Sequence, residues 1–197
     1  MVSSELDSLL KPWFDRWQLT DLSPLRPWIE TMRILDFERD AMVLTAGSRK
    51  RNIFLVESGL LRLFYTSPDG RERNKAFFGP SKVCGPISAA ITNSPAPFSI
   101  QALEPSRLIR ADYDLLLRLA EQYPEFNRLR VDLLSEAFVR NEQREAMLLT
   151  CNAEQRYQWV LQREPELLER LPQFHIASYI GVDAVSLSRL KRKLNPD

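Results

Sequence analysis

The chain ends in "PQFHIASYIGVDAVSLSRLKRKLNPD", and one glycine in it sets tight limits on the fold. Gly181 follows a run with helical spacing and is placed to end that helix in the left-handed conformation. Asp183 is placed to cap the next helix, Ala184 to Leu194. Three residues, Gly181 to Asp183, therefore separate two helices, a spacing that fits a helix-turn-helix. Ala177 supplies the small residue early in the first helix. Ile176, Ile180, Val182, Leu187 and Leu190 supply the apolar crossing positions. Ser186, Ser188, Arg189, Lys191, Arg192 and Lys193 fall on the outward face of the second helix, with cations at its favourable C-terminal end. A helix that docks in DNA and a helix hairpin with a solvated basic tail both fit this segment.

Composition narrows the classes. The chain has 197 residues, enough for one large domain or a medium one plus a small one, with 44% hydrophobic and 27% charged residues. A net charge of +1 means that nucleic-acid binding would have to come from a local basic patch. No apolar run is long enough to span a membrane. The N-terminus lacks the basic-then-apolar order of a secretory signal, so a cytoplasmic location and free thiols at Cys84 and Cys151 are expected. With one histidine, His175, six glycines and no G-x-S-x-G, P-loop or G-x-G-x-x-G motif, no catalytic or metal residues are named and no enzyme is expected. His175 reads as a surface or phosphate-proximal residue.

Along the chain, Leu6, Leu9, Leu10, Trp13, Phe14 and Trp17 share one helical face. Pro12 suggests two short helices rather than one. With Asp7 and Asp15 against Lys11 and Arg16 on the polar side, packing onto the next domain is expected rather than a membrane-surface role. Ser23–Pro24 suggests the start of a second helix, to about Met32. From Arg33 to Arg110 short β-branched and aromatic runs alternate with turns, of which Pro68-Asp69-Gly70 is a hairpin. They predict a small barrel or roll. Within it, "GPSKVCGPISAAITNSPAPFSI" is a long loop with a short helix over Ile87 to Ile91, and a loop of this length in a β domain is usually functional. Arg49, Lys50, Arg51, Arg73 and Lys75 read as solvated strand-edge cations. Helical spacing returns at "DYDLLLRLAEQYP". It continues in a long helix from Pro124 to Thr150, whose apolar face turns polar from Arg140 to Glu145. Seven turns of helix predict a partner helix, as in a dimer. Asn152, Pro165 and Pro172 open three further helices.

These features together resemble the Crp–Fnr superfamily of bacterial transcription regulators. "FLVESGLLRLFYTSPDGRERNKAFF" is similar to the hairpin core of that family's cyclic-nucleotide-binding β-roll, and "FSIQALEPSRLI" to its later strands. "NAEQRYQWVLQREPELLERLPQFHIASYIGVDAVSLSRLKRKL" is similar to a subgroup pattern in which S-A-E-x-R-Y leads into I-P-x-x-x-I-A-S-Y-L-G-I and S-L-S-R. The likeness runs over roughly residues 20 to 195. It implies an α+β chain with a sensor β-roll and N-terminal helices at 1–123, a dimerisation helix at 124–150 and a helix-turn-helix DNA-binding domain at 151–197.

Two departures shape the expected function. The family's phosphate cassette pairs F-G-E with an Arg about ten residues on, whereas this chain has Cys84-Gly85-Pro86, and Ala96 and Pro97 at the Arg position. A buried phosphate without a cation is costly, so tight binding of cyclic AMP is not expected and no cofactor is assigned. Phe78, Cys84, Gly85, Ile87, Ser88, Phe98 and Ser99 are the candidate lining of a pocket for some other small-molecule effector. Cys84 reads as a packed small residue rather than a redox sensor. In the second helix of the motif, Ala184 and Val185 stand where the family often carries base-contacting Arg and Glu. Arg189 is kept, and Ser186, Ser188, Lys191, Arg192 and Lys193 complete the candidate DNA contacts. The expected partners are DNA and a second copy of the chain through 124–150, with no membrane. The other reading is a ligand-binding or protein-interaction module whose helix-turn-helix no longer reads DNA. No wing is expected after the last helix.

Overall fold

Short β-branched and aromatic runs pair into two four-stranded antiparallel sheets, and helices flank them in sequence. The computed structural model describes residues 4–194, so expectations about the wing lie outside the described residues. In chain order the elements are α1 (Ser4–Arg16), α2 (Arg26–Ile29), β1 (Arg33–Phe37), β2 (Met42–Leu44), β3 (Asn52–Ser58), β4 (Leu61–Thr66), β5 (Glu72–Phe78) and β6 (Val83–Cys84). They continue with α3 (Ile87–Ile91), β7 (Ser99–Ala102), β8 (Ser106–Asp112), α4 (Tyr113–Gln122), α5 (Pro124–Thr150), α6 (Ala153–Arg163), α7 (Pro165–Arg170), α8 (Gln173–Ile180) and α9 (Ala184–Leu194). This is the α+β class expected. Contacts divide the chain into two compact units, one of Met1–Tyr65 with Phe77–Ser135, the other of Thr66–Ala76 with Glu136–Asp197.

The first unit holds the roll. Its sheets run β1-β8-β3-β6 and β2-β7-β4-β5. Register sets Ile34 opposite Ile109 and Leu55 opposite the same residue, so the apolar face of β8 is shared by both neighbours. The core gathers Leu10, Trp13, Trp17, Trp28, Ile53, Leu55, Ile109, Leu116, Phe126 and Leu129. Burying each large side chain contributes about 2–3 kcal/mol. The buried Trp28 keeps its indole N–H satisfied by donating to the Asp112 carbonyl at 2.7 Å, and the Asp112 carboxylate caps α4 by accepting from Leu115 N–H at 2.9 Å.

Several expectations need correction here. α1 is one helix with Pro12 inside it, not two. Pro12 and Ser8 are both exposed, so the Ser8 carbonyl that loses its helical donor faces water, and the packed aromatic face holds the helix together. That face (Trp13, Phe14, Trp17) is buried in the core, as the packing reading required. α2 starts at Arg26 rather than at Ser23–Pro24, because Asp21 accepts from Ser23 N–H at 2.9 Å and holds that stretch in a turn. The strand β1, "RILDF", carries little alternation and is recognisable only from its pairing with β8.

The second unit is helical except for the β4–β5 hairpin tip. Its turn is the expected one, with Gly70 N–H donating to the Ser67 carbonyl at 2.8 Å. Asn152 and Gln155 form a reciprocal capping box at the start of α6. Gly181 has φ +74 and ends α8 in a left-handed turn, with Val182 N–H donating to the Ala177 carbonyl at 3.0 Å. Ile176, Ala177, Ile180 and Leu187 are buried where α8 and α9 cross, while Val182 and Leu190 are half-buried.

Arg156 closes this unit. Its guanidinium donates to the carbonyls of Cys151 (2.9 Å), Ile180 (3.2 Å) and Leu148 (2.8 Å), which lie at the ends of α5 and α8. These carbonyls have no helical donor of their own. Arg156→Met should lower unfolding stability by about 2 kcal/mol or more, read as a fall in the urea midpoint. Arg156→Lys should recover only part of it, because an ammonium cannot span three acceptors in a plane. A midpoint unchanged in both variants would contradict the clasp.

Candidate nucleic-acid interface

The surface of α9 follows from its capping. Asp183 accepts from Ser186 N–H at 2.7 Å and from the Ser186 hydroxyl at 2.8 Å. Both bonds hold the Asp183 carboxyl below the usual carboxylate range. Leu187 then points inward, and Val185, Ser186, Arg189, Arg192 and Lys193 are exposed on the opposite side. Ser188 and Lys191 are half-buried, so of the six expected contact residues Ser186, Arg189, Arg192 and Lys193 are exposed, with Ser186 committed to the cap. Lys193 pairs with Glu154 at 2.9 Å on the surface of α6. Val185 is 60% exposed in the first turn, an apolar group offered to solvent beside the cations. The helix carries four cations and no acid, so its field is positive despite the nearly neutral chain.

Behind this face lies a set of polar groups that sequence reasoning placed wrongly. His175 is buried, at 7% exposure, rather than on the surface, and its Nδ1 lies 3.2 Å from the Asn74 amide nitrogen. Lys75 is not a solvated strand-edge cation. Burial, then the nearby Arg140 and Arg144, push its ammonium down from the ordinary lysine range. The polar interruption in α5 thus faces its own unit's hairpin, and the Arg144 guanidinium stacks over Tyr179 at 4.4 Å. Burial raises the Tyr179 phenol, which lies 3.3 Å from Glu164 Oε1, and burial raises the Glu164 carboxyl likewise. No signal local in sequence joins Asn74 to His175.

The cassette residues lie in the first unit. Cys84 of β6 is buried, pairs with Phe54 of β3, and is in no disulfide. Cys151, also in no disulfide, is half-buried. Phe78, Phe98 and Ser99 are buried, Gly85 and Ile87 half-buried, and Ser88 exposed. Ser99 Oγ accepts from Ala46 N–H at 3.0 Å. A Cβ on Gly85 would lie 2.8 Å from the Asn52 carbonyl oxygen, so this glycine is required by the approach of β3, whatever the loop binds. Pro86 is buried and precedes α3 without a side-chain cap. Ala96 is buried, donating its N–H to the Ser48 carbonyl and accepting from Gly47 N–H, both at 2.8 Å. Arg51 is bonded to Asp114 at 3.2 Å and to Asn93 of this loop. Among the described residues no group of three His, Cys, Asp or Glu side chains could hold a metal ion, and no helix is long and apolar enough to cross a membrane.

Residues 34–123 match the cyclic nucleotide-binding domain family. The chain is similar to the transcriptional activator protein anr of Pseudomonas aeruginosa, 29% identical over 135 residues, 64% of this chain and 54% of that protein. It thus spans about half the length of the curated relatives it matches. Its fold is that of FixK2 from Bradyrhizobium japonicum (TM-score 0.72, 17% identity, 83% of this chain and 84% of the other). It also matches a transcriptional regulator of the crp/fnr family from Eubacterium rectale (TM-score 0.73, 14% identity, 92% and 87%). Residues 34–123 thus carry the likeness to a cyclic nucleotide-binding domain, and the chain shares its fold with these two solved structures.

Proposed function

We propose that the chain is a DNA-binding transcription regulator that acts as a homodimer, with α9 as the helix that enters the major groove. The observation that carries this reading is the exposed face of α9, where Arg189 and Arg192 follow Val185 along one stripe of a helix that carries no acid of its own. Arg189 reads a guanine through two parallel hydrogen bonds, and Val185 offers an apolar contact to a thymine methyl. Lys191, Arg192 and Lys193 meet phosphates, which supply affinity without sequence information. The names of the relatives agree, since they are regulators rather than enzymes. The domains follow: sensor 1–123, dimer helix 124–150, helix-turn-helix 151–197. A regulator of this kind works where the chromosome is, in the cytoplasm.

The dimer would form along α5, which exposes Val131, Val139 and the 66%-exposed Phe138, one heptad on from Val131. Two copies of α9 would then meet a palindrome about one DNA turn apart, near 34 Å. A signal at the roll would act by changing that spacing. The roll is not tuned for cyclic AMP. Pro86 cannot hold a ribose hydroxyl, and Ala96 is an uncharged, buried residue where a phosphate would need a cation. Phe78, Cys84, Gly85, Ile87, Ser88, Phe98 and Ser99 remain the lining proposed for a less charged effector.

Fluorescence anisotropy with a duplex carrying a site selected by the protein tests α9. Replacing Lys191, Arg192 and Lys193 by Ala should weaken binding to all sequences alike and flatten the slope of log affinity against log salt by roughly 2–3. Arg189→Ala should cost about 1–3 kcal/mol and remove discrimination at one base pair. Binding indifferent to both changes would favour the module whose helix-turn-helix no longer reads DNA. In a thermal-shift assay, cyclic AMP at 1 mM, a concentration on the order of 100 times a tight dissociation constant, should leave the midpoint unmoved, whereas a tight ligand adds about 2.7 kcal/mol. A clear upward shift would contradict the assignment of the pocket.

A further inference from the structure

The hairpin tip, Thr66–Ala76, belongs to the same compact unit as the helix-turn-helix, although the strands that flank it continue into the roll. We propose that Asn74 of this hairpin is a positioning residue for DNA recognition. It latches β5 to α8 and so fixes the orientation in which α9 is presented. The inference rests on the reading of α9 as the DNA-contacting helix.

Asn74 is only 2% exposed, and a buried amide must find partners or carry a desolvation cost. Its bonds converge on α8. The main-chain N–H donates to Ser178 Oγ at 3.0 Å. The side-chain amide donates to the His175 carbonyl at 3.0 Å, and the same nitrogen lies 3.2 Å from His175 Nδ1. The main-chain carbonyl accepts from Arg144 at 2.9 Å, which ties in α5. Ser178 Oγ in turn lies within bonding distance of the Glu72 carbonyl, at 3.4 Å. One strand residue thus engages two successive turns of the first helix of the motif and, through Arg144, the long helix α5.

A contact made for packing alone would use apolar side chains, as the α8–α9 crossing does. These groups are directional instead, and they fix angle and register as well as proximity. α8 carries α9 through the rigid Gly181 turn and the buried crossing. An angular change at Asn74 is therefore passed to Arg189 and Arg192. The covalent continuity of β4 and β5 with the roll gives a sensor event a second route to the DNA-binding helices, besides α5.

Two measurements on the full chain test this, one of them without DNA. Hydrogen exchange read by mass spectrometry should show amides of α8 exchanging at least about tenfold faster in Asn74→Ala, with peptides of β7 and β8 unchanged. Second, the protein is titrated with duplexes whose two half-sites are set one base pair closer or further than the preferred separation. The native protein should discriminate among them about tenfold or more, and Asn74→Ala should bring this to within about threefold. A residue that merely stabilised the fold would lower affinity for all spacings equally. Unchanged α8 exchange, or spacing discrimination kept intact, overturns the latch. If the native protein bound no DNA, the regulator reading would fail, and the exchange result alone would still decide whether Asn74 holds α8. Should Asn74→Ala not fold, Ser178→Ala, which removes one acceptor at the edge of the cluster, is read by the same two criteria.

Discussion

Three backbone carbonyls at helix ends converge on one guanidinium, and the geometry of the second unit depends on that meeting. The last turns of α5 and α8 leave acceptors that no helical N–H can reach, and Arg156 satisfies Leu148, Cys151 and Ile180 together. The bonds are charge-assisted and planar, so they fix the angle between the two helices more firmly than apolar contact alone. Gly181 lies beside this clasp, and a Cβ there would come within 3.3 Å of Arg156. The glycine therefore serves both the left-handed turn and the approach of the guanidinium. A helix-turn-helix is useful only when its outward face is aimed. Arg156 and Asn74 both hold α8 through polar bonds, whose geometry is more exacting than that of a greasy contact.

The roll has the fold of a cyclic nucleotide-binding domain, and packing and backbone bonds account for its cassette residues. Its strands, its short helix α3 and its glycine are in place, yet Gly85 is explained by the β3 backbone against it. Pro86 and Ala96, where the resemblance would set an acid and an arginine, are both buried. Ala96 spends its own backbone groups on the turn at Gly47 and Ser48. A fold of this kind does not depend on cassette charges, because strand register and core packing set it.

What was legible in the sequence was whatever local chemistry decides. Asn152 and Asp183 as caps, Gly181 as a left-handed stop, Pro68-Asp69-Gly70 as a turn and Ile87 to Ile91 as a short helix all follow from interactions within a few residues. The failures share a cause. Asn74 and His175 are 101 residues apart, and nothing near either announces the other. Lys75 is half-buried with Arg140 and Arg144 of α5 nearby, and nothing in the hairpin's own sequence announces that helix. Pro12 was read by its local cost, which the buried aromatic face of α1 outweighs. On α9 the outward residues were readable from helical period, but the withdrawal of Ser188 and Lys191 and the use of Ser186 in the cap were not.

The central claim is that two copies of α9, held at a fixed angle and separation, read DNA as a pair. Selection of binding sites from random-sequence duplexes by the purified protein tests it most directly. The account predicts an enriched inverted repeat whose half-site centres lie about 10 base pairs apart. Enrichment of a single half-site, or no enrichment over the starting pool, would contradict it.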